Sequence, residues 1–372
     1  MKLVIAGGGT GGHLFPGIAV AEEFLSRDTS NQVLFVGSER GIEARAVPAA
    51  GYRLETVSAR GIRGKGSLSQ LIGGAMMLYA YAQSRKILKK FQPDMVLGVG
   101  GYASLPMVLA AKGMQIPRFI HEQNAIPGKT NILLSRFVRQ VYITLEESAR
   151  FFPEGRILLT GNPLRRQILD NISAGIGISG PESATREPGE PFNLLVFGGS
   201  QGAHAINMAM IDALPRLAQL KNQLRIVHQT GENDLAAVET AYREHGITAT
   251  VQPFISSMGE AYRTADLIVC RAGATTIAEV TACGKACIFI PFPHATDDHQ
   301  RKNAEALLKK GAGFVLLEKE LGNGGLANTI IELFHDPETL QRTSACAFGL
   351  ARIDAAGIIV DRMLEEVTNA RD

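Results

Sequence analysis

Ala6-Gly7-Gly8-Gly9-Thr10-Gly11-Gly12-His13-Leu14-Phe15-Pro16, residues 6–16, stands between Lys2-Leu3-Val4-Ile5 and Gly17-Ile18-Ala19-Val20-Ala21-Glu22-Glu23-Phe24-Leu25. The first flank is a short apolar run that reads as a buried strand. The second has helical periodicity, with Ile18, Ala21 and Leu25 on one face. The glycines therefore occupy a tight strand-to-helix turn. Their missing side chains let a ligand approach the backbone, and the N–H groups at the helix start favour an anion. Gly7, Gly9 and Gly12 also spell G-x-G-x-x-G, a weak sign of a dinucleotide site when it stands alone. Such a site needs an acidic residue near the end of the second strand. The strand expected at 32–36 runs into Gly37-Ser38, and Glu39 comes slightly late. His13 directly follows the last glycine, and a titratable imidazole at the mouth of an anion site suggests chemistry. A histidine that caps the helix or is satisfied by backbone is the structural alternative.

The same theme recurs along the chain. Residues 94–99 form a second apolar run ending in Gly100-Gly101-Tyr102, and Ser104 opens the next helix. A strand expected at 116–120 ends on His121-Glu122-Gln123-Asn124, and polar residues after a parallel strand lie on the edge where α/β sheets bind ligands. The run 157–160 leads to Gly161-Asn162-Pro163-Leu164-Arg165, a turn with a cation beyond it. Between 172 and 191 the composition shifts to Gly, Ser, Pro and Glu without period, as in a linker or exposed loop. Residues 192–196 then restart the pattern, and Phe197-Gly198-Gly199-Ser200-Gln201-Gly202-Ala203 repeats the opening motif. Two strand-glycine-helix units about 190 residues apart predict two Rossmann-like halves facing one another. In the second half, a strand at 266–270 enters Arg271-Ala272-Gly273-Ala274-Thr275-Thr276, another helix N-terminus suited to an anion. Glu279, one turn on, could accept from a ribose diol or simply be favoured by the helix dipole. Pro291-Phe292-Pro293-His294 and Asp297-Asp298-His299-Gln300 close a further strand with dense polarity. Residues 324–334 and 338–368 are expected to be helical.

With 372 residues, 45% hydrophobic and 20% charged, the chain has the composition of a globular protein, and its length suggests two domains. A net charge of +2 argues against a general nucleic-acid binder. Cys270, Cys283, Cys287 and Cys346 have no matching Cys or His pair for zinc and read as reduced thiols. No signal peptide is expected, because the N-terminus begins a strand at once. The longest largely apolar run, 71–82, is too short to span a bilayer, which points to the cytosol or the cytosolic face of a membrane. That run belongs to a helix expected at 68–91, behind a basic glycine-rich loop at 59–66. Leu71, Ala75, Leu78 and Ala82 make one apolar stripe, Ile72, Met76 and Tyr79 a second, and Arg85, Lys86, Lys89 and Lys90 follow. Two stripes beside a basic cluster suit an anionic membrane surface; a helix buried on two sides is the alternative. No two aspartates stand at i and i+2, so the D-x-D metal clamp is missing, and neither a metal nor a cofactor is expected. A nucleoside diphosphate would then need helix N-termini, hydroxyls and an arginine: Ser200, Thr275, Thr276 and Arg165 are suppliers. No G-x-S-x-G elbow or Walker lysine motif occurs.

GGGTGGHLFPGIAVA, RGIRGKG, GVGGYASLP, HEQNAIPG, GNPLR, FGGSQGA, CRAGATTIAEV and PFPHATDDHQRKNA follow one another in this order. In this the chain resembles the MurG family of bacterial lipid I N-acetylglucosaminyltransferases, from residue 2 to about residue 315. The resemblance implies an α/β GT-B fold, two Rossmann-like domains with parallel sheets facing across a cleft. Residues 1–163 would be the acceptor and membrane-binding domain, and 164–344 the UDP-N-acetylglucosamine domain. A C-terminal helix, about 345–372, would return to the first. It implies inverting, metal-free transfer to the C4 hydroxyl of the muramyl unit; His13 is the candidate general base from its position after the glycine turn, not from the likeness. The donor contacts carried over are Thr10, Gly11, Gly12, Asn124, Arg165, Ser200, Ile255, Ala274, Thr275, Thr276, Ile277, Ala278, Glu279 and Gln300. Of these, Glu279 would hold the ribose, Ile255 the uracil through its backbone, and Asn124 and Gln300 the sugar. The loops at Thr10–His13 and at Gly100, Gly101, Tyr102 and Ser104 look like the acceptor diphosphate side. Membrane association at the inner face, a role in wall biogenesis, cell shape and division, and partners among other wall-synthesis enzymes follow from the same likeness. Lower aromatic content in the 68–91 helix and the long 172–191 linker depart from the family. A UDP-N-acetylglucosamine 2-epimerase on the same fold is the alternative enzyme class, and a non-catalytic lipid-carrier binder a third reading.

Overall fold

The computed structural model describes residues 1–38, 41–59, 67–173, 189–199 and 202–369. The chain forms two compact units, Met1–Arg166 with Arg352–Asp372, and Gln167–Ala351.

The first unit is built on seven strands: β1 Lys2–Gly7, β2 Gln32–Gly37, β3 Arg53–Thr56, β4 Met95–Gly100, β5 Arg118–Glu122, β6 Gln140–Ile143 and β7 Ile157–Leu159. Every pairing is parallel, and the order is β3-β2-β1-β4-β5-β6-β7. β1 and β4 are continuous apolar runs because helices cover both faces of such a sheet. From β1 the chain first builds outward through β2 and β3, then returns to place β4 on the other side of β1. The C-terminal ends of β1 and β4 thus flank a topological switch point, the position where open α/β sheets bind ligands. The register slips there, from Ala6 opposite Gly98 to Gly7 opposite Gly100.

The second unit repeats the plan with β8 Phe192–Phe197, β9 Leu224–Gln229, β10 Ala249–Gln252, β11 Leu267–Cys270, β12 Ala286–Phe289 and β13 Phe314–Val315. Its strands are again all parallel, in the order β10-β9-β8-β11-β12-β13, so its switch point lies between β8 and β11. All four cysteines are free thiols, and Cys270 and Cys287 touch in the core at 3.4 Å between sulfurs.

Two local expectations change. The helical span expected at 338–368 is two helices, Pro337–Gly349 and Ala355–Thr368. The first belongs to the second unit. The other lies in the first unit against the Gly11–Arg27 helix, where Ile359, Val360, Met363 and Val367 share a core with Val20 and Phe24. Arg27 pairs with Asp361 at 3.1 Å across that contact. Residues 350–354, between the two helices, are not helical.

The Ser67–Phe91 helix turns Ala75, Leu78 and Ala82 of its first apolar stripe and Tyr79 of its second outward. Its inward side is Leu88 with Gly73, Ala80 and Ser84, three small residues that let it approach the Ser104–Gly113 helix. Leu78 is 72% exposed and Tyr79 60%, with Ala75 and Ala82 also outward, followed by exposed Arg85, Lys86, Lys89 and Lys90. Among the described residues no helix is long and apolar enough to cross a membrane. The basic loop beyond Ala59, the linker at 174–188 and Ser200 lie outside the described residues.

Candidate active site

At the first switch point the two glycine turns interlock backbone against backbone. Gly8 N donates to Gly100 O at 3.3 Å. A Cβ on Gly101, whose φ is +79°, would stand 2.4 Å from the Gly8 carbonyl oxygen, so only glycine fits. Ser104 fastens the pair: its buried hydroxyl accepts from Gly100 N at 3.0 Å and lies 2.6 Å from Ala6 O and 2.9 Å from Gly100 O, the carbonyls it can donate to. Tyr102, between them, is exposed. Thr10 precedes the Gly11–Arg27 helix, and its side chain makes no cap hydrogen bond to it.

Behind the first turn lies Glu43, a residue the sequence reading passed over. It is 1% exposed and accepts from Gly9 N at 2.8 Å, Ser38 N at 2.8 Å and Ser38 Oγ at 2.7 Å. Its carboxylate occupies the space where side chains on Gly8, Gly37 and Gly41 would be. Burial alone would raise its pKa, but the hydrogen bonds from Gly9 and Ser38 hold it below the usual glutamate range. Glu43 is thus engaged in shaping the glycine turn and not in the manner of a dinucleotide site's ribose acceptor, while Glu39 lies outside the described residues.

His13, half-buried in the first turn of the helix, has Nδ1 2.8 Å from Gln123 Oε1. Gln123 Nε2 faces Val99 O at 3.0 Å and His121 Nδ1 at 3.0 Å, and His121 Nε2 faces Gly161 O at 3.2 Å. Burial pushes the His121 imidazole down to about 4, so it is neutral near pH 7. Glu122 is buried and holds the turn after β5, accepting from Asn124 N at 2.9 Å, Gly128 N at 3.1 Å and Asn131 Nδ2 at 2.8 Å. Arg165 belongs to this unit, its guanidinium 5.6 Å from the centre of the Phe15 ring, on the helix that carries His13. The structure therefore gathers Thr10–His13, Gly100–Ser104, Asn124 and Arg165 in the first unit.

Ile255, Ala274–Glu279 and Gln300 lie in the second unit. The Ala274–Ala282 helix starts just past β11, with Gly273 as an extended N-cap and Thr275 and Thr276 half-buried in its first turn. Ala274 and Ile277 point into the core, and Ala278 is half-buried. Glu279 is buried, and the Tyr262 hydroxyl donates to its Oε2 at 3.0 Å. Gln229, which sequence reasoning missed, joins the glycine turn after β8 to the next loop. Its amide donates to Gly199 O at 2.6 Å and accepts from Ile255 N at 2.9 Å. The Ile255 amide is thereby engaged within the protein. Gln300 Oε1 accepts from Phe292 N at 3.0 Å.

Two parallel-sheet Rossmann-like units, each with a glycine turn at its switch point, are the architecture of a GT-B glycosyltransferase. Residues 3–143 match the glycosyltransferase family 28 N-terminal domain and residues 193–357 its C-terminal domain. A protein of Trichlorobacter lovleyi is 63% identical over 375 residues, covering 99% of this chain and 98% of its own. It is named UDP-N-acetylglucosamine–N-acetylmuramyl-(pentapeptide) pyrophosphoryl-undecaprenol N-acetylglucosamine transferase. The crystal structure of Acinetobacter baumannii MurG superposes with a TM-score of 0.78 at 31% identity, covering 98% of this chain and 99% of that one. The chain belongs to this MurG family of glycosyltransferases. A UDP-GlcNAc 2-epimerase from Neisseria meningitidis, solved with UDP-GlcNAc, shares only the fold. Its TM-score is 0.68 at 15% identity, over 98% of this chain and 100% of that one.

Proposed function

We propose that the protein transfers N-acetylglucosamine from UDP-N-acetylglucosamine to the C4 hydroxyl of the N-acetylmuramyl unit of undecaprenyl-pyrophosphoryl-MurNAc-pentapeptide, lipid I. The products are lipid II and UDP, with inversion at the sugar C1. The observation that carries this reading is the 63% identity, over almost the whole chain, to a relative named for that reaction. In the step itself, the C4 oxygen bonds to C1, the C1–O bond to UDP breaks, and His13 takes the C4 proton. Thr275, Thr276, Ser200, Arg165 and the start of the Ala274–Ala282 helix offset the charge on the departing diphosphate, so no metal is needed. Glu279 receives the ribose, Ile255 the uracil edge, and Asn124 and Gln300 the sugar. The turns at Thr10–Gly12 and at Gly100–Ser104 take the acceptor diphosphate.

The decisive assay supplies labelled UDP-N-acetylglucosamine, EDTA and a lipid I analogue. Label entering the lipid only when acceptor is present is the expected result. Acceptor-independent conversion of the donor to its 2-epimer would overturn the function and leave the fold standing.

We further propose peripheral attachment to the cytoplasmic face of an anionic membrane through the outward side of the Ser67–Phe91 helix. Exposed Leu78 and Tyr79 beside Arg85, Lys86, Lys89 and Lys90 support this, since an apolar patch next to cations binds an anionic interface. Burying two such side chains is worth about 3 kcal/mol in all, so Leu78→Ser with Tyr79→Ser should weaken partitioning onto anionic vesicles by roughly 100-fold. Unchanged co-sedimentation would remove this face from membrane binding.

A further inference from the structure

We propose that Gln123 is a positioning residue that sets the tautomer of His13, holding the proton on Nδ1 and leaving Nε2 as the basic nitrogen. This rests on the reading of His13 as general base. The polarity of the Gln123 amide follows from its partners. One end faces the carbonyl oxygens of Val99 at 3.0 Å and His121 at 3.3 Å, which can only accept, so that end is the NH₂. The other end is therefore oxygen, and it stands 2.8 Å from His13 Nδ1. An oxygen without a proton can only accept, so a neutral His13 donates from Nδ1. Reversing the amide would turn its oxygen against two carbonyls in a place where Gln123 is 1% exposed and water cannot compensate.

The chain of assignments closes consistently one residue further on. The Gln123 NH₂ donates to His121 Nδ1 at 3.0 Å, which leaves His121 Nε2–H to donate to Gly161 O at 3.2 Å. His121 is buried and neutral, so both of its nitrogens are used in one tautomer only. Gly100 completes the seat: a Cβ there would stand 2.9 Å from His13 Nδ1 and push the ring off the amide. A base that must accept a proton at one nitrogen works only if the other is held protonated, as an orienting group does in any nucleophile-base arrangement.

The test is ¹⁵N NMR of the full-length protein with ring-labelled histidine. The His13 signals are assigned by their disappearance in His13→Ala. In the neutral form of the His13 ring the proton is expected on Nδ1 in the wild type; a proton on Nε2 instead would overturn the proposal without any variant of Gln123 having to fold. Gln123→Met, of similar length with neither amide group, should release the tautomer and lower kcat by about 10–100-fold, a part of what a base contributes, while KM for the donor holds. If the folded variant keeps Nδ1 protonated and full kcat, Gln123 does not position the base. Full turnover in His13→Ala would instead remove the base reading itself, while the observed tautomer stood.

Discussion

Replacing His13 by alanine is expected to lower the turnover of sugar transfer by about 10²–10⁴-fold, the range a well-placed general base supplies. In barrier terms that is about 2.7–5.4 kcal/mol. The loss should fall on kcat, because the groups proposed to hold the uridine lie in the other unit, at Ile255 and Glu279, and the substitution leaves Arg165 and Asn124 in place. A second consequence follows from the local hydrogen bonding. Without the imidazole, Gln123 Oε1 loses its 2.8 Å partner in a buried place, which costs about 1–3 kcal/mol of stability. Turnover must therefore be expressed per folded molecule, from steady-state kinetics alongside a denaturation curve. Near-normal kcat in a folded His13→Ala variant would take His13 out of the chemistry and reduce it to a helix-start histidine.

How far the letters lead, and where they stop, follows from the range of the interactions. β1, β4, β8 and β11 are apolar runs ending near glycine or small residues, a local signal that survives in one dimension. Both switch points follow once these runs are taken as parallel strands. Glu43, Gln123 and Gln229 carry no such signal. Each is a buried polar side chain whose partners are backbone groups or side chains brought alongside by the fold, Gly9 with Glu43 and His13 with Gln123 across 110 positions. The only hint of Glu43 is the pair Gly37 and Gly41 around it, and glycine has too many uses for that to be read alone. The Ser67–Phe91 helix fails for another reason. Periodicity identifies the core face by its large apolar residues, but here the packed face uses Gly73, Ala80 and Ser84 for close approach beside Leu88, and Leu78 and Tyr79 remain outside.

Glu43→Ala is expected to be the most destabilising single change near the candidate site, by about 2–4 kcal/mol at neutral pH. It leaves two partly buried N–H groups and a hydroxyl without their acceptor and opens the space that Gly8, Gly37 and Gly41 form around the carboxylate. Glu43→Gln keeps the volume but turns an NH₂ toward donors, so a smaller loss of about 1–2 kcal/mol is expected. The sign of the pH dependence is fixed by the direction of the shift. The folded carboxyl sits below the ordinary glutamate value, so its stabilisation is complete above that value, about 4.3, and is lost as pH falls through the folded pKa. Urea unfolding at neutral pH and again below about pH 4 should therefore show the wild type and Glu43→Gln converging on acidification. A gap that widens instead would mean that the carboxylate is tolerated rather than stabilising. Because Glu43 fixes Gly9 in the turn proposed for the acceptor diphosphate, folded Glu43→Gln should lose affinity for the lipid acceptor by a larger factor than it raises KM for UDP-N-acetylglucosamine. Equal losses for both substrates would show that the turn serves the fold as a whole and not that ligand.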